Sequence, residues 1–504
     1  MFKASVEYKE LRLWTMKHPG FQRERIAEVV AAYFRFVMLS HRWEAMESSL
    51  HDIQDKVVFK LKAAGGLVKL QSFCKIARDA GYHWAWVDTY CIDKYNNVEL
   101  QASLNSMFVW YHYSALTVVY LADVPPSSKS GALAESVWNT RGWTLPEFLA
   151  PKIIRFYQQD WSLYLDDNSP NHKESASIMK EMEDATGIDA RSIIAFQPGT
   201  RDAREKLQWA STRVTTVPED IAYSLFGIFG VHLPILYGEM KQNALGRLLQ
   251  EIIAQSGDIT ALDWVGQPSR FNSCLPADII SYRAPPCLVP SLSEDEIESS
   301  VSSLRGAVAL ESTSKLYQEL DRLSPPRFAH RRLHLPCIVF PVTEVRRRSG
   351  TDRDEETNTY GVEANGLHDL QITTTHKFSQ ARRAQQQFLL VRPWDRRLLE
   401  HLDFAELPAF ADDAESLGNW SESESPLQDS PPISPVEEEL DESEFHSRAL
   451  QLIVRLGQPF SAFLLAQRRG GEYARIASDH HIIVQVKDMA FVHSMMDIRT
   501  VMIL

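Results

Sequence analysis

The sequence predicts an α/β fold: a doubly wound parallel sheet, then a helical segment, then a β-rich C-terminal domain. Three observations carry this expectation. Four short apolar runs, at 34–39, 84–87, 116–121 and 153–157, alternate with stretches of helical periodicity, the pattern of βαβ units. The run LTVVYL at 116–121 is continuously apolar and β-branched, as in a strand covered on both faces. From about residue 270 short apolar or alternating runs separated by turn residues replace the helical pattern.

In chain order, residues 1–32 read as an N-terminal extension and 33–158 as the sheet domain. FRFVML is the first strand. A helix over 65–80 places Leu67, Leu70, Cys74 and Ala77 on one face at spacings of three and four. WAWV is the second strand. The next helix, 97–114, carries Leu100, Leu104, Met107, Phe108 and Tyr111 in a stripe, with Asn96 as cap and Glu99 three positions later. LTVVYL is the third strand. A polar loop and a short helix lead to RGWTLPEF, and IIRFY is the fourth strand. Residues 159–265 read as helical. Within them Ala244, Leu245, Leu248, Leu249, Ile252 and Ile253 form one apolar face. The runs CIVFPV, LQITTT, QLIVRL, FSAFLLA, HIIVQVK and IRTVMIL assign 270–504 to the β-rich domain. No internal repeat is visible.

Composition narrows the class. The net charge is −13, but residues 412–444 hold twelve Asp or Glu and no Lys or Arg, so the rest carries −1. That near-neutral remainder argues against nucleic-acid binding. The acidic segment, rich in Ser and Pro, reads as a disordered insertion. Five cysteines without a CxxC pair point to a reducing, cytoplasmic setting and away from a zinc module or disulfide framework. No metal or cofactor is expected. The start MFKASVEYKE is no secretory signal. Residues 221–238 lack charge but are interrupted by glycines and a proline. They read as a buried helix and turn, so no membrane partner is expected.

Three stretches crowd chemistry-bearing residues against tryptophan: LSHRW at 39–43, WVDTYCIDK at 86–94 and RGWTLPEF at 141–148. Right-handed crossovers put the C-terminal ends of parallel strands on one edge. Chain direction therefore brings Ser40 and His41, then Asp88, Cys91 and Asp93, then Asp123, to one rim.

These blocks resemble the fungal heterokaryon-incompatibility (HET) domain. Its hallmarks are Ser-His-x-Trp, here Ser40 to Trp43; Trp-Val-Asp-x-x-Cys-Ile-Asp, here Trp86 to Asp93; and Arg-Gly-Trp-Thr-Leu-x-Glu, here Arg141 to Glu147. NSMFVWY, VVYLADV and the stretch 215–240 also read as family sequence, and the resemblance covers roughly 33–265. Glu44 stands where the family usually has glycine, and Pro146 where it commonly has glutamine. The resemblance implies a flavodoxin/TIR-like sheet and a cytoplasmic role in non-self recognition and programmed cell death. It implies partners among other incompatibility or NLR-type proteins, and self-association. Some TIR domains cleave NAD⁺ with a glutamate, and Glu147 matches that position. NAD⁺ is then a candidate substrate, not a cofactor.

Each residue has a plainer role beside the chemical one. Glu147 can stabilise positive charge on a ribose, or close a capping box with Thr144, a pattern repeated at Thr216 and Glu219. Ser40 with His41, or His41 with Cys91, suits a nucleophile and base; a loop-ordering histidine and a packed cysteine are the alternatives. Asp88 and Asp93 suit a ribose or a metal, or hold the loop and pair with Arg42 or Arg141, the second being the expectation. Trp43 and Trp143 are the pocket candidates among the tryptophans, while Trp84 and Trp110 suit the core. A non-catalytic adaptor and a Cys/His or Ser/His hydrolase are the rival functions.

Overall fold

The computed structural model describes all residues except 19–21, 45–46, 63, 290–291, 306–309, 349–357, 379–386, 401–441 and 489–496. Contacts divide the chain into two units, Met1–Pro286 and Cys287–Leu504.

The first unit opens with helices α1 (Val6–Lys17) and α2 (Gln22–Tyr33). Its sheet consists of β1 (Phe36–His41), β2 (Trp84–Trp86), β3 (Leu116–Tyr120) and β4 (Ile154–Tyr157). All pairings are parallel, in the order β2-β1-β3-β4. That is the order of the first four strands of a flavodoxin-like doubly wound sheet. The α/β expectation therefore holds, with one shift of consequence. The first strand runs two residues past the expected end and includes Ser40 and His41.

Alternation along the strands builds two layers. Val37 and Leu39 of β1, with Leu116, Val118 and Tyr120 of β3, pack against Leu70, Phe73 and Ala77 of α3 (Gly66–Asp79). The opposite face receives α4 (Asn97–Tyr113) and α5 (Thr144–Leu149). Asn96 caps α4 as expected, its side chain accepting the amides of Val98 and Glu99. Glu99 does not complete a capping box: its carboxylate accepts the Asp93 amide instead. Of the α4 stripe, Met107, Phe108 and Tyr111 are buried, while Leu100 and Leu104 are half-buried.

The segment 221–238 folds as two short buried helices, Asp220–Tyr223 and α6 (Phe226–Phe229), before an extended turn. Among the described residues no helix is long and apolar enough to cross a membrane. All six apolar residues expected on one face of α7 (Lys241–Ser256) are buried.

The second unit begins with helices, not strands: α8 (Glu294–Leu304) and α9 (Leu310–Asp321). Strands β5 (Arg327–Ala329), β6 (Arg332–Arg347), β7 (Asn358–Ala364), β8 (Leu370–Thr374) and β9 (Phe388–Pro393) follow. QLIVRL, expected as a strand, lies in helix α10 (Glu442–Leu456), where Leu452, Ile453 and Val454 are fully buried. A six-residue apolar run cannot by itself distinguish a buried strand from a buried helix. After it come β10 (Phe460–Ser461), β11 (Phe463–Gln467), β12 (Tyr473–Ile476), β13 (Ile483–Val484) and β14 (Asp497–Ile503). β6, β9, β11, β12 and β14 pair in a ring, β14 along seven residues of β6. The acidic segment 412–444 lies outside the described residues up to 441, and its last three residues begin α10.

α6 crosses α4 at Gly227, where an added Cβ would collide with the Cβ and Cγ of buried Phe108. Gly227→Ala is expected to cost about 1–3 kcal/mol by overpacking. Urea unfolding of the full chain reads it; an unchanged midpoint would contradict the close crossing.

Candidate functional site

Ser40 and His41 are neighbours on β1, so their side chains leave opposite faces of the sheet. That geometry rules out a Ser40–His41 pair. Ser40 is fully buried and turns toward α5. Its hydroxyl accepts Trp138 Nε1 at 2.9 Å and donates to Glu147 Oε2 at 2.5 Å. An indole N–H can only donate, which fixes the direction of the Trp138 bond.

Glu147 is 5% exposed and does not close a capping box. α5 begins without a side-chain cap, and Thr144 lies inside the helix, its hydroxyl donating to the Trp138 carbonyl at 2.7 Å. The repeat at 216–219 behaves likewise: the helix there has no side-chain cap, and Glu219 accepts the Gly238 amide at 2.7 Å. Burial pushes the Glu147 carboxyl well above its usual range, and the nearby Asp88 charge adds to this; the Ser40 bond and the Arg141 charge only partly oppose it.

His41 faces the other way. Its Nε2 lies 3.1 Å from Asp88 Oδ1 and its Nδ1 3.2 Å from the Arg42 carbonyl. The second Asp88 oxygen accepts Trp43 Nε1 at 2.7 Å. Asp88 thus pairs with His41 and Trp43, not with an arginine. Burial alone would raise its carboxyl, but the bond and charge of His41, with the Trp43 bond, hold it below the usual range. Two carboxyls near one cavity are therefore driven in opposite directions, the arrangement that separates acid and base roles.

Cys91 is exposed as a residue, yet its sulfur turns back to accept the Val87 amide at 3.4 Å, and burial pushes the thiol up. It is neither bonded to His41 nor activated. Asp93 accepts the Tyr95 amide at 2.9 Å and lies 3.4 Å from His51. Both residues hold the loop after β2. Among the described residues no group of three or more metal-binding side chains is assembled. Trp84 stacks on Phe34 and Trp110 packs edge-on against Trp86, away from the cavity.

The remaining candidates surround one hollow of about 470 Å³ at the C-terminal edge of the sheet. His41 and Trp43 come from the first block, Asp88 from the second, and Arg141, Trp143 and Glu147 from the third. Leu100 and Leu104 of α4 form part of its apolar wall, which explains why that stripe is not fully buried. Lys94 lies 3.4 Å above the Trp43 ring. The backbone at Glu44 takes no positive φ, so the missing glycine strains nothing there.

The far wall comes from a segment whose motifs, a run of family-like sequence and a repeated cap pattern, give it no place in the site. Val214, Thr215, Asp220 and Tyr237 line the hollow. The third block is tied to this segment by Gly142 N to Val214 O at 2.9 Å and Val214 N to Thr140 O at 2.7 Å. Arg213, buried beside α5, donates to the Arg141 carbonyl at 2.9 Å, and burial lowers its guanidinium to about 9. Gly142 permits the approach, since a Cβ there would stand 2.5 Å from Thr215 Cγ2. Asp220 accepts Trp143 Nε1 at 3.1 Å and is raised by burial. The signal was present as TTVPED at 215–220, but nothing in its spacing says that it folds back onto the third block.

Residues 36–133 match the family described as heterokaryon incompatibility protein (HET). Over 238 residues the chain is 37% identical to "Vegetative incompatibility protein HET-E-1" of Podospora anserina, an alignment covering 45% of this chain and 17% of that protein. The chain thus spans less than a fifth of that relative's length. No solved structure matches. The strands and rim that carry Ser-His-x-Trp and Trp-Val-Asp lie within the matched segment, so residues 36–133 of this chain carry the sequence of a HET domain.

A carboxyl raised by folding holds a proton that the unfolded chain releases near pH 4.5, so its contribution to stability is lost as pH rises above that value. Glu147→Gln removes this loss. Melting curves should show the variant gaining on the parent protein as pH rises above about 4.5, with no such gain near pH 4. A difference independent of pH would show that Glu147 is not held protonated by the fold.

Proposed function

We propose that this chain acts in vegetative incompatibility, as a cytoplasmic effector of non-self recognition leading to cell death, and that its cavity binds NAD⁺ and cleaves the nicotinamide–ribose bond. Supporting the first part are the HET match and the incompatibility relative. One observation carries the second: a buried carboxyl, Glu147, faces a hollow of about 470 Å³ that also presents two tryptophans. Self-association and contacts with other incompatibility or NLR-type proteins belong to this reading as its route of activation.

In the proposed reaction the bond between C1′ and the pyridinium nitrogen breaks. Its electron pair leaves with nicotinamide, which becomes neutral, and positive charge develops on the ribose. Water then adds to C1′ and loses a proton. The leaving group needs no acid, so Glu147 serves as an anion beside the ribose. It is neutral in the empty hollow. A pyridinium ion entering this desolvated space favours the ionised form, so ligand binding expels the Glu147 proton. Ser40, donating to Oε2, holds the carboxyl in place, and Trp143 offers an aromatic face.

Concentrated protein incubated with NAD⁺ should release nicotinamide, at a rate rising with pH as Glu147 loses its proton more readily. Glu147→Gln should slow release by about 100-fold or more. Absence of release under assembling conditions, or equal release from the variant, would leave an adaptor role and remove hydrolysis.

A further inference from the structure

A second hollow, of about 330 Å³, adjoins the first and shares Trp43 and Glu44 with it. Tyr120 at the end of β3, Asp123 just beyond it and buried Trp138 also line it. It lies between the ends of β1 and β3, where the strand order reverses direction. In open α/β sheets this switch point is where the C-terminal ends of the strands leave a crevice for ligands.

The hollow has a prepared donor. Arg42 lines it, and the Arg42 backbone is pinned because its carbonyl takes Lys69 Nζ at 3.1 Å and faces His41 Nδ1 at 3.2 Å. Its guanidinium makes no hydrogen bond or ion pair among the described residues. Two acids line it: Asp123 is engaged, accepting Ser136 Oγ at 2.8 Å and the Val137 amide at 2.7 Å, and Glu44 stands at the rim shared with the first hollow, its charge reaching Tyr120. Trp43, 41% exposed, is held by its bond to Asp88 and forms the partition between the hollows. An available guanidinium beside a fixed, exposed indole suits a phosphate joined to an aromatic base.

We propose that this second hollow is a nucleotide subsite in which Arg42 takes a phosphate and Trp43 the base, so that a ligand with two nucleotide halves spans both hollows across Trp43. The subsite deepens the NAD⁺ reading, assigning the adenylate half to the β1/β3 crevice. It also assigns a function to the variable position of Ser-His-x-Trp.

Calorimetric titration of the full chain with AMP, nicotinamide mononucleotide and NAD⁺ tests it. AMP should bind the parent protein, and Arg42→Gln should weaken AMP and NAD⁺ by about tenfold or more while leaving nicotinamide mononucleotide unchanged. Glu147→Gln should leave AMP affinity unchanged. No AMP binding at about 5 mM, or AMP binding indifferent to Arg42→Gln, overturns the subsite even where nicotinamide is released. AMP binding that depends on Arg42 without nicotinamide release supports the subsite and removes hydrolysis alone. Arg42 is exposed, and matching melting curves of variant and parent confirm that the fold is unchanged.

Discussion

The bond from Ser40 to Glu147 sets the terms for the rest of the site. Burying a carboxyl is unfavourable unless it is neutral or paired. Here no cation hydrogen-bonds the carboxyl among the described residues, although the charges of Arg213 and Arg141 reach it. Arg213, the buried cation beside α5, spends its hydrogen bonds on the Arg141 carbonyl and Thr144, and Arg141 acts only through its charge. Burial therefore favours the neutral form of Glu147, whose carboxyl is held by the Ser40 hydroxyl and faces Tyr111. The Ser40 hydroxyl is oriented in turn by an indole that can only donate. Each member restricts the next. The strand position must be a small hydroxyl residue, the indole must lie within the core, and α5 must start without a cap so that its first turn can lean on β1.

Pattern and chain direction account for most of what was legible in the sequence. Parallel strands with continuous apolar character declare themselves, and their common direction gathers His41, Asp88 and the loop after β3 on one edge. What failed to be legible depends on strand ends and on contacts across long separations. Ending β1 two residues early made Ser40 and His41 look like loop neighbours able to cooperate. Once both are in the strand, the pleat separates them. Thr-Leu-Pro-Glu fits a capping box by local rules, yet Ser40, 107 residues away, takes the glutamate instead. Local propensity is a weak guide where a tertiary partner competes for the same carboxyl. In the second unit, QLIVRL shows the same limit: its residues suit a strand, but burial on several sides is equally satisfied by a helix.

The sequence match to the HET family ends at 133, whereas the cavity does not. Within 36–133 lie β1, β2, β3, α4 and the first two motif blocks. Outside it lie β4, Gly142, Trp143 and Glu147, together with the 213–220 segment that receives the third block through paired backbone bonds. Cut at the match, the unit would leave β3 as an exposed strand edge, and His41 and Asp88 would have no Glu147 carboxyl across the cavity. The cavity therefore belongs to the larger unit Met1–Pro286. The third block and the segment behind it act as one wall, because Gly142 lets the two backbones approach to hydrogen-bonding distance. A ligand entering the hollow meets two motif blocks on the sheet edge and a third held against them from outside. Any movement of the 213–220 segment would then be felt first at Trp143 and Glu147.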